Sequence, residues 1–191
     1  QDEFDGIISE DLEERTTDQF KKITTDKYLL KRKPLLTIKS FFDHHLKQFS
    51  TTVLGINENK VSCNITQSWL NAYPPTAFNP VHKHPNSIIS GVFYINCLAN
   101  NKGGGISFHD TGHEMFHDIE LPYSQFTIFS ANLHHVEVVA GDLVLFPSSV
   151  RHSVNLNKTT NQTRISLSFN TFFFGELGDY DDTTELILKQ E

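Results

Sequence analysis

The chain has 191 residues, a formal net charge of −7 and only two cysteines. The length fits one domain, 1–191, with a sizeable core, and the acidic balance argues against a non-specific nucleic-acid surface, which is basic. No apolar run approaches the ~20 residues that span a bilayer, and the acidic N-terminus has no apolar signal-peptide core, so a cytoplasmic location with no membrane contact is expected.

Cys63 and Cys97 make no disulfide framework and are expected as buried reduced thiols. Residues 1–26 are polar and charged and read as a loose or partly helical lead-in. Pro34 to Thr52 (PLLTIKSFFDHHLKQFSTT) predicts a helix, because Leu36, Ile38, Phe41, Phe42, Leu46 and Phe49 fall near helical spacing and Pro34 suits a first turn. Its adjacent histidines, His44 and His45, point in different directions and read as surface or packing residues.

From Lys60 the texture changes to short runs rich in aromatic and β-branched residues, broken by Pro, Gly and Asn. Strands are predicted at Val61–Leu70, Ile88–Asn96, Ile106–His109, Phe126–Ser130, Val136–Val139, Leu143–Phe146, Arg151–Asn155 and Arg164–Phe174. Many short strands at regular spacing point to a mainly β chain built as a sandwich or jelly roll. The organisation that follows is a lead-in and helix over 1–59, a β core over 60–174 and an acidic, peripheral tail over 175–191.

The stretch WLNAYPPTAFNPVHKHPNSIISGVFYIN, Trp69 to Asn96, carries the first chemical signal. His82 and His84 on one strand would share a face, which is two thirds of a facial metal site. A further candidate, His152, follows the apolar run LVLF, and Arg164 comes twelve positions later. If the last two strands form a hairpin, both side chains face one interior. Arg164, Ser166, Ser168 and Asn170 alternate with Ile165, Leu167 and Phe169, so one face is polar. That face is either an outer, solvated one or an interior that grips an anionic small molecule through Arg164 and Ser166. Of His134 and His135 at most one faces a site, and Trp69 reads as a core or hairpin anchor.

The ordered set Tyr73, H-x-H at 82–84, FYIN at 93–96, GGG at 103–105, GDLVLFP at 141–147, His152 and R-x-S at 164–166 resembles the Fe(II)/2-oxoglutarate-dependent oxygenases. The likeness is to the prolyl-hydroxylase-like branch, and within it to a bacterial and phage group with H-x-H-P followed by SGV-x-Y. It covers roughly Thr66 to Phe174. The resemblance implies a double-stranded β-helix (a cupin-like jelly roll) with helical N-terminal support. It also implies Fe(II) as metal, with 2-oxoglutarate and O2 as co-reactants. His82 and His152 match metal ligands, Arg164 with Ser166 matches the pair that binds the far carboxylate of 2-oxoglutarate, and Tyr73 matches a tyrosine that contacts the cosubstrate. Hydroxylation of a small molecule or a protein side chain is the implied outcome, and a homodimer is compatible with it.

One departure matters. Most of the superfamily has a carboxylate where this chain has His84. Either three histidines, His82, His84 and His152, hold the metal, or His84 stands back and Asp110 supplies a carboxylate. Two other classes stay open. His113-Glu114-Met115-Phe116-His117 matches H-E-x-x-H, the pattern of a zinc hydrolase using His113, Glu114 and His117. A cupin-like module that binds a metal or small ligand without turnover would also use H-x-H and a distal histidine.

Overall fold

The alternation in the last third of the chain becomes the longest strand of the molecule. In a computed structural model, which describes residues 12–14, 21–98, 104–109, 122–127, 130–178 and 184–189, this strand runs from Arg164 to Leu177. The other elements, in chain order, are β1 (Leu12–Glu14), β2 (Lys22–Thr24), α1 (Leu36–Gln48), β3 (Val61–Tyr73), β4 (Asn79–His82), β5 (Ile89–Asn96), β6 (Gly105–His109), β7 (Leu133–Glu137), β8 (Leu143–Pro147) and β9 (His152–Val154). The long strand is β10, and β11 (Leu186–Leu188) follows it. No helix among the described residues is long and apolar enough to cross a membrane.

The described strands form two antiparallel sheets, one in the order β1-β2-β3-β10-β5-β8 with β11 beside β10, the other in the order β4-β9-β6-β7. Together they make a double-stranded β-helix, the architecture the resemblance implied. β10 lies in the middle of the larger sheet with both its edges paired, and both its faces are covered as well. On one face Leu167 and Phe169 are fully buried against Leu70 and the helix residue Phe42. Phe42 stacks on Phe169 at 5.2 Å between ring centroids and meets Phe93 at 5.4 Å. On the other face Arg164, Ser166 and Ser168 point between the sheets and are also buried. The polar face is therefore an interior one, which excludes the solvated reading. A second cluster, Tyr94, Cys97, Ile106, Val138 and Phe146, fills the space between the sheets.

The helix begins as expected, with Pro34 in a 3₁₀ turn (Lys33–Leu35) that leads into α1. It ends by widening into a π-turn over Phe49–Val53, before Gly55 at φ 68° reverses the chain. Gly91 in β5 is required by close approach: a Cβ there would sit 2.1 Å from the Phe169 ring. Both cysteines are free thiols, Cys97 buried and Cys63 only partly so.

Several sequence expectations are corrected. The lead-in is not loose or helical where it is described: β1 and β2 pair with each other, and β2 pairs with β3 through Lys22 with Ala72 and Ile23 with Asn71. In the tail, β11 pairs with Gly175–Leu177 of β10 and is largely exposed, in keeping with a peripheral segment. β9 and β10 do not form a hairpin, because β9 pairs with β4 and β6 in the smaller sheet while β10 pairs with β3 and β5 in the larger. No strand forms at Phe126–Thr127 among the described residues. There the Thr127 carbonyl accepts the Ser130 and Ala131 amides, and the Ser130 hydroxyl accepts the Thr127 amide, which turns the chain. The next strand starts earlier than predicted, at Leu133, and includes His134 and His135.

Phe42 is the hinge of the helix-to-sheet packing. Phe42→Ala should cost about 3–5 kcal/mol, the range for emptying a fully buried aromatic site. A urea unfolding midpoint that stays within error of the parent would contradict this packing.

Candidate metal centre and its cavity

Strand register brings the first two histidines together. In the smaller sheet His82, the last residue of β4, is the cross-strand partner of His152, the first residue of β9. Their ring centroids lie 4.2 Å apart. His84 reaches the same point by another route. β4 has ended at His82, so the two residues do not share a strand face as the sequence suggested. Instead the His84 backbone amide donates to the Ser148 carbonyl at 3.0 Å, and its ring lies 5.2 Å from His82 and 4.9 Å from His152. One ring nitrogen from each of the three can be chosen so that all lie within 4.8 Å of one another.

The hydrogen bonds behind the rings set the tautomers. His82 Nδ1 meets the Pro80 carbonyl at 2.8 Å and His152 Nδ1 meets the Val150 carbonyl at 2.9 Å. A carbonyl only accepts, so each Nδ1 carries the proton and each Nε2 keeps its lone pair for a metal. His84 Nδ1 lies 2.7 Å from Ser90 Oγ, which itself donates to Asn170 Oδ1 at 2.9 Å. With that hydroxyl proton spent, Ser90 accepts from His84, and Nε2 is again the free nitrogen. Ser148 and Ser87 extend the chain of hydroxyls at 2.8 and 2.7 Å. Burial holds all three imidazoles below the ordinary histidine range, with His84 and His152 lowered to about 4. Neutral imidazoles at physiological pH are what Fe(II) or a similar divalent ion takes as ligands.

The cluster opens into a cavity of about 590 Å³ between the sheets. Alternate residues of β3 line one side, Gln67, Trp69, Asn71 and Tyr73, and Ser166 and Ser168 of β10 stand beside them. The register pairs Trp69 with Ser168, Asn71 with Ser166 and Tyr73 with Arg164. Arg164 does not itself line the cavity. It is buried behind Tyr73, with Cζ 4.7 Å from the ring centroid, and both terminal nitrogens donate to the Asn155 carbonyl at 3.2 Å. Gly104, at φ 76°, leaves room for this guanidinium, since a Cβ there would lie 2.5 Å from Nη1 and 2.8 Å from the Asn155 carbonyl. Burial raises the Tyr73 hydroxyl to about 12 against the pull of Arg164, and raises Tyr94 likewise, so both phenols are protonated donors.

Tyr94 was missed in the sequence. It lines the cavity, is buried, and its hydroxyl has no hydrogen-bond partner among the described residues. An unpartnered buried hydroxyl is costly and marks where a polar ligand atom belongs. The signal was available, since Val92 and Tyr94 alternate onto one face of β5 and both line the cavity. Trp69 is also corrected: it is half-buried on the cavity wall, edge-on to His84 at 6.2 Å, and not a core anchor. Lys21, from the polar lead-in, joins the wall too. His134 and His135 do point apart as expected. His135 faces Ser107 and Asn155, while neither ring joins the cluster. Asp110 and the motif His113, Glu114 and His117 lie outside the described residues, as does Gly103.

The buried imidazoles make acid stability a direct readout. Their affinity for protons is lower in the folded chain than at the ordinary value of 6.5, so the unfolded chain takes up protons first as pH falls. The stability they contribute is complete above 6.5 and is lost progressively toward about 4. For chelator-treated protein the melting temperature should fall between pH 7 and pH 5, and the fall should be shallower in His152→Asn. Equal slopes in parent and variant would show that His152 is not a buried neutral imidazole.

Comparisons with known proteins bear on the fold and the family. No curated protein sequence matches the chain. Its fold is similar to that of a Pseudomonas putida prolyl-4-hydroxylase, at 21% identity over 88% of this chain and 82% of that one, with a TM-score of 0.55. It is also similar to HygX from Streptomyces hygroscopicus, whose structure holds nickel and 2-oxoglutarate, at 12% identity over 89% and 76%, TM-score 0.59. A third neighbour is the epimerase SnoN in complex with Fe3+, alpha ketoglutarate and nogalamycin RO, at 10% identity over 99% and 82%, TM-score 0.62. These likenesses carry the fold. The family comes from the sequence itself, because a model described as "Putative 2OG-Fe(II) oxygenase" matches residues 67–170, just over half of the chain, spanning β3 through the polar face of β10. The chain therefore belongs to the 2OG-Fe(II) oxygenase family, named for the cofactors Fe(II) and 2-oxoglutarate.

Proposed function

We propose that this protein is an Fe(II)- and 2-oxoglutarate-dependent dioxygenase that hydroxylates a substrate bound in the cavity between its sheets, a small molecule or a protein side chain. The observation that carries the reading is the set of three neutral imidazoles, each with Nδ1 engaged and Nε2 unprotonated, the His82 Nε2 lying 3.2 Å from Asn79 Nδ2, beside a cavity that contains the Tyr94 hydroxyl, unpartnered among the described residues. His82, His84 and His152 would hold Fe(II), with no carboxylate needed in the ligand set. Arg164, Ser166 and Tyr73 would hold 2-oxoglutarate, with Tyr94 as a fourth contact. The donor set fits both groups, neutral nitrogen for the metal and cationic or hydroxyl donors for a carboxylate.

When bound, iron and 2-oxoglutarate supply oxidative decarboxylation of the cosubstrate by O2, coupled to oxidation of a substrate C–H bond. The protein's share is positional. The hydrogen bonds to the Pro80 and Val150 carbonyls keep His82 and His152 in the ligating tautomer, and Ser90 does the same for His84. His82, His84 and His152 would hold Fe(II) with three donors, and the metal would supply its remaining coordination to 2-oxoglutarate and O2. A neutral ligand set also leaves more positive charge at the metal than a set with a carboxylate, which favours a dianionic cosubstrate. The Tyr73 ring over Arg164 keeps water from the guanidinium, so a carboxylate that reaches it meets a cation in a medium of low dielectric.

His152→Ala should abolish stoichiometric iron binding under anaerobic conditions while the far-ultraviolet dichroism is retained. Full iron content in that variant would remove His152 from the ligand set. Arg164→Ala should keep its iron and weaken 2-oxoglutarate by about 100-fold in anaerobic calorimetry, the loss expected when a charge-assisted carboxylate contact of about 3 kcal/mol goes. Unchanged affinity would show that the arginine serves packing alone.

A further inference from the structure

One residue beside the histidine cluster is aimed by an irregularity in its strand. Asn79 and His82 lie three positions apart on β4, while their partners on β9, Val154 and His152, lie two apart. On a regular strand three positions would turn the two side chains to opposite faces. The extra residue is a bulge, a device that re-aims a side chain, and Asn79 and His82 both line the cavity. The Asn79 carboxamide is then oriented from the larger sheet. Lys21, just before β2, has its Nζ 6.0 Å from the Tyr73 ring centroid and donates to Asn79 Oδ1 at 2.6 Å. An ammonium only donates, so the carbonyl oxygen faces Lys21 and the amide nitrogen faces His82. Nδ2 lies 3.2 Å from His82 Nε2 and 3.3 Å from Nδ1. The Nδ1 proton is committed to the Pro80 carbonyl. The lone pair that the Asn79 N–H meets is therefore the one on Nε2, the nitrogen assigned to the metal.

Resting on the oxygenase reading above, we propose that Asn79 binds the cosubstrate at its 2-oxo-carboxylate end, the end that chelates the metal. A lone pair serves one partner at a time. Once a metal takes Nε2, that Asn79 N–H has lost its acceptor, while Lys21 and the bulge still hold it in place. A half-buried donor without an acceptor is costly. The carboxylate that the cosubstrate brings is the acceptor the site then gains, and the bond to it is charge-assisted. Asn79 thus acts twice with opposite sign: it opposes the metal and favours the cosubstrate. Arg164, with Ser166 and the Tyr94 hydroxyl, is left to the far carboxylate.

The opposed signs make the proposal testable without turnover. The chelator-treated full chain and its Asn79→Ala variant are titrated with Co(II) by calorimetry. The Fe(II)-loaded proteins are then titrated anaerobically, by visible absorption, with 2-oxoglutarate and with pyruvate, which has the 2-oxo-carboxylate end and no far carboxylate. Asn79→Ala should bind Co(II) about threefold more tightly and both 2-oxo acids about tenfold more weakly, the loss of one hydrogen bond to a neutral and to a charged acceptor respectively. Asn79→Asp, which can still accept from Lys21 but has no N–H to give, should weaken both acids at least as much. A merely structural role would move metal and cosubstrate in the same direction. The proposal is overturned if Asn79→Ala loses Co(II) affinity or if either acid binds parent and variant alike. A loss confined to 2-oxoglutarate moves Asn79 to the far carboxylate, which also overturns it. Each of these results leaves the oxygenase reading standing, because the parent still binds iron and cosubstrate. Failure of the Fe(II)-loaded parent to bind 2-oxoglutarate at all strikes the oxygenase reading itself, and the proposal with it.

Discussion

One strand has to satisfy two environments, and the rest of the fold is arranged around that demand. β10 presents Leu167 and Phe169 to the helix side and Arg164, Ser166 and Ser168 to the cavity, and all five are buried. Burying an arginine is costly unless donors and charge are accommodated. The cost is offset in part by the Asn155 carbonyl, the Tyr73 ring and the space that Gly104 leaves. A central position between β3 and β5 holds the strand rigidly enough to keep those groups in place. Helix α1 closes the opposite face, so the sheet needs no other layer there. Fold and site therefore share a single element, and the two faces of one strand divide the work between stability and chemistry.

The second organising feature is a set of three imidazoles, one buried and two part-buried, with no acid in the cluster among the described residues. Each imidazole is held neutral by burial and fixed in tautomer by an acceptor behind it. His82 and His152 use backbone carbonyls two residues back, a local device that costs the sequence nothing. His84 uses a network of Ser90, Ser148, Ser87 and Asn170 that spans β5, the end of β8 and β10. That network ties His84, beyond the end of β4, to the larger sheet.

The grouping of the three histidines was more legible in the sequence than the strand pairing that brings it about. The spacing of His82, His84 and His152 and the alternation from Arg164 to Asn170 are local patterns, and local patterns survive in one dimension. The helix was readable for the same reason. What failed were inferences about partners. β9 and β10 look like a hairpin because they are sequential and joined by a polar turn, yet each belongs to a different sheet. β1 and β2 span three residues each, too short for period-two alternation to rise above a charged background. So Lys21 and Lys27 could not be assigned to the cavity from the sequence. Trp69 and Tyr94 sit in apolar runs where core and site read alike, and only the register of β3 and β5 against β10 separates the two.

The most direct test of the account is an anaerobic titration of the metal-free protein with Fe(II) and then 2-oxoglutarate, followed by visible absorption. The account predicts a metal-to-ligand charge-transfer band that needs both additions, because the cosubstrate must chelate iron already held by His82, His84 and His152. Iron bound stoichiometrically with no such band on adding 2-oxoglutarate would contradict it, and would leave a metal site of cupin type without the oxygenase chemistry.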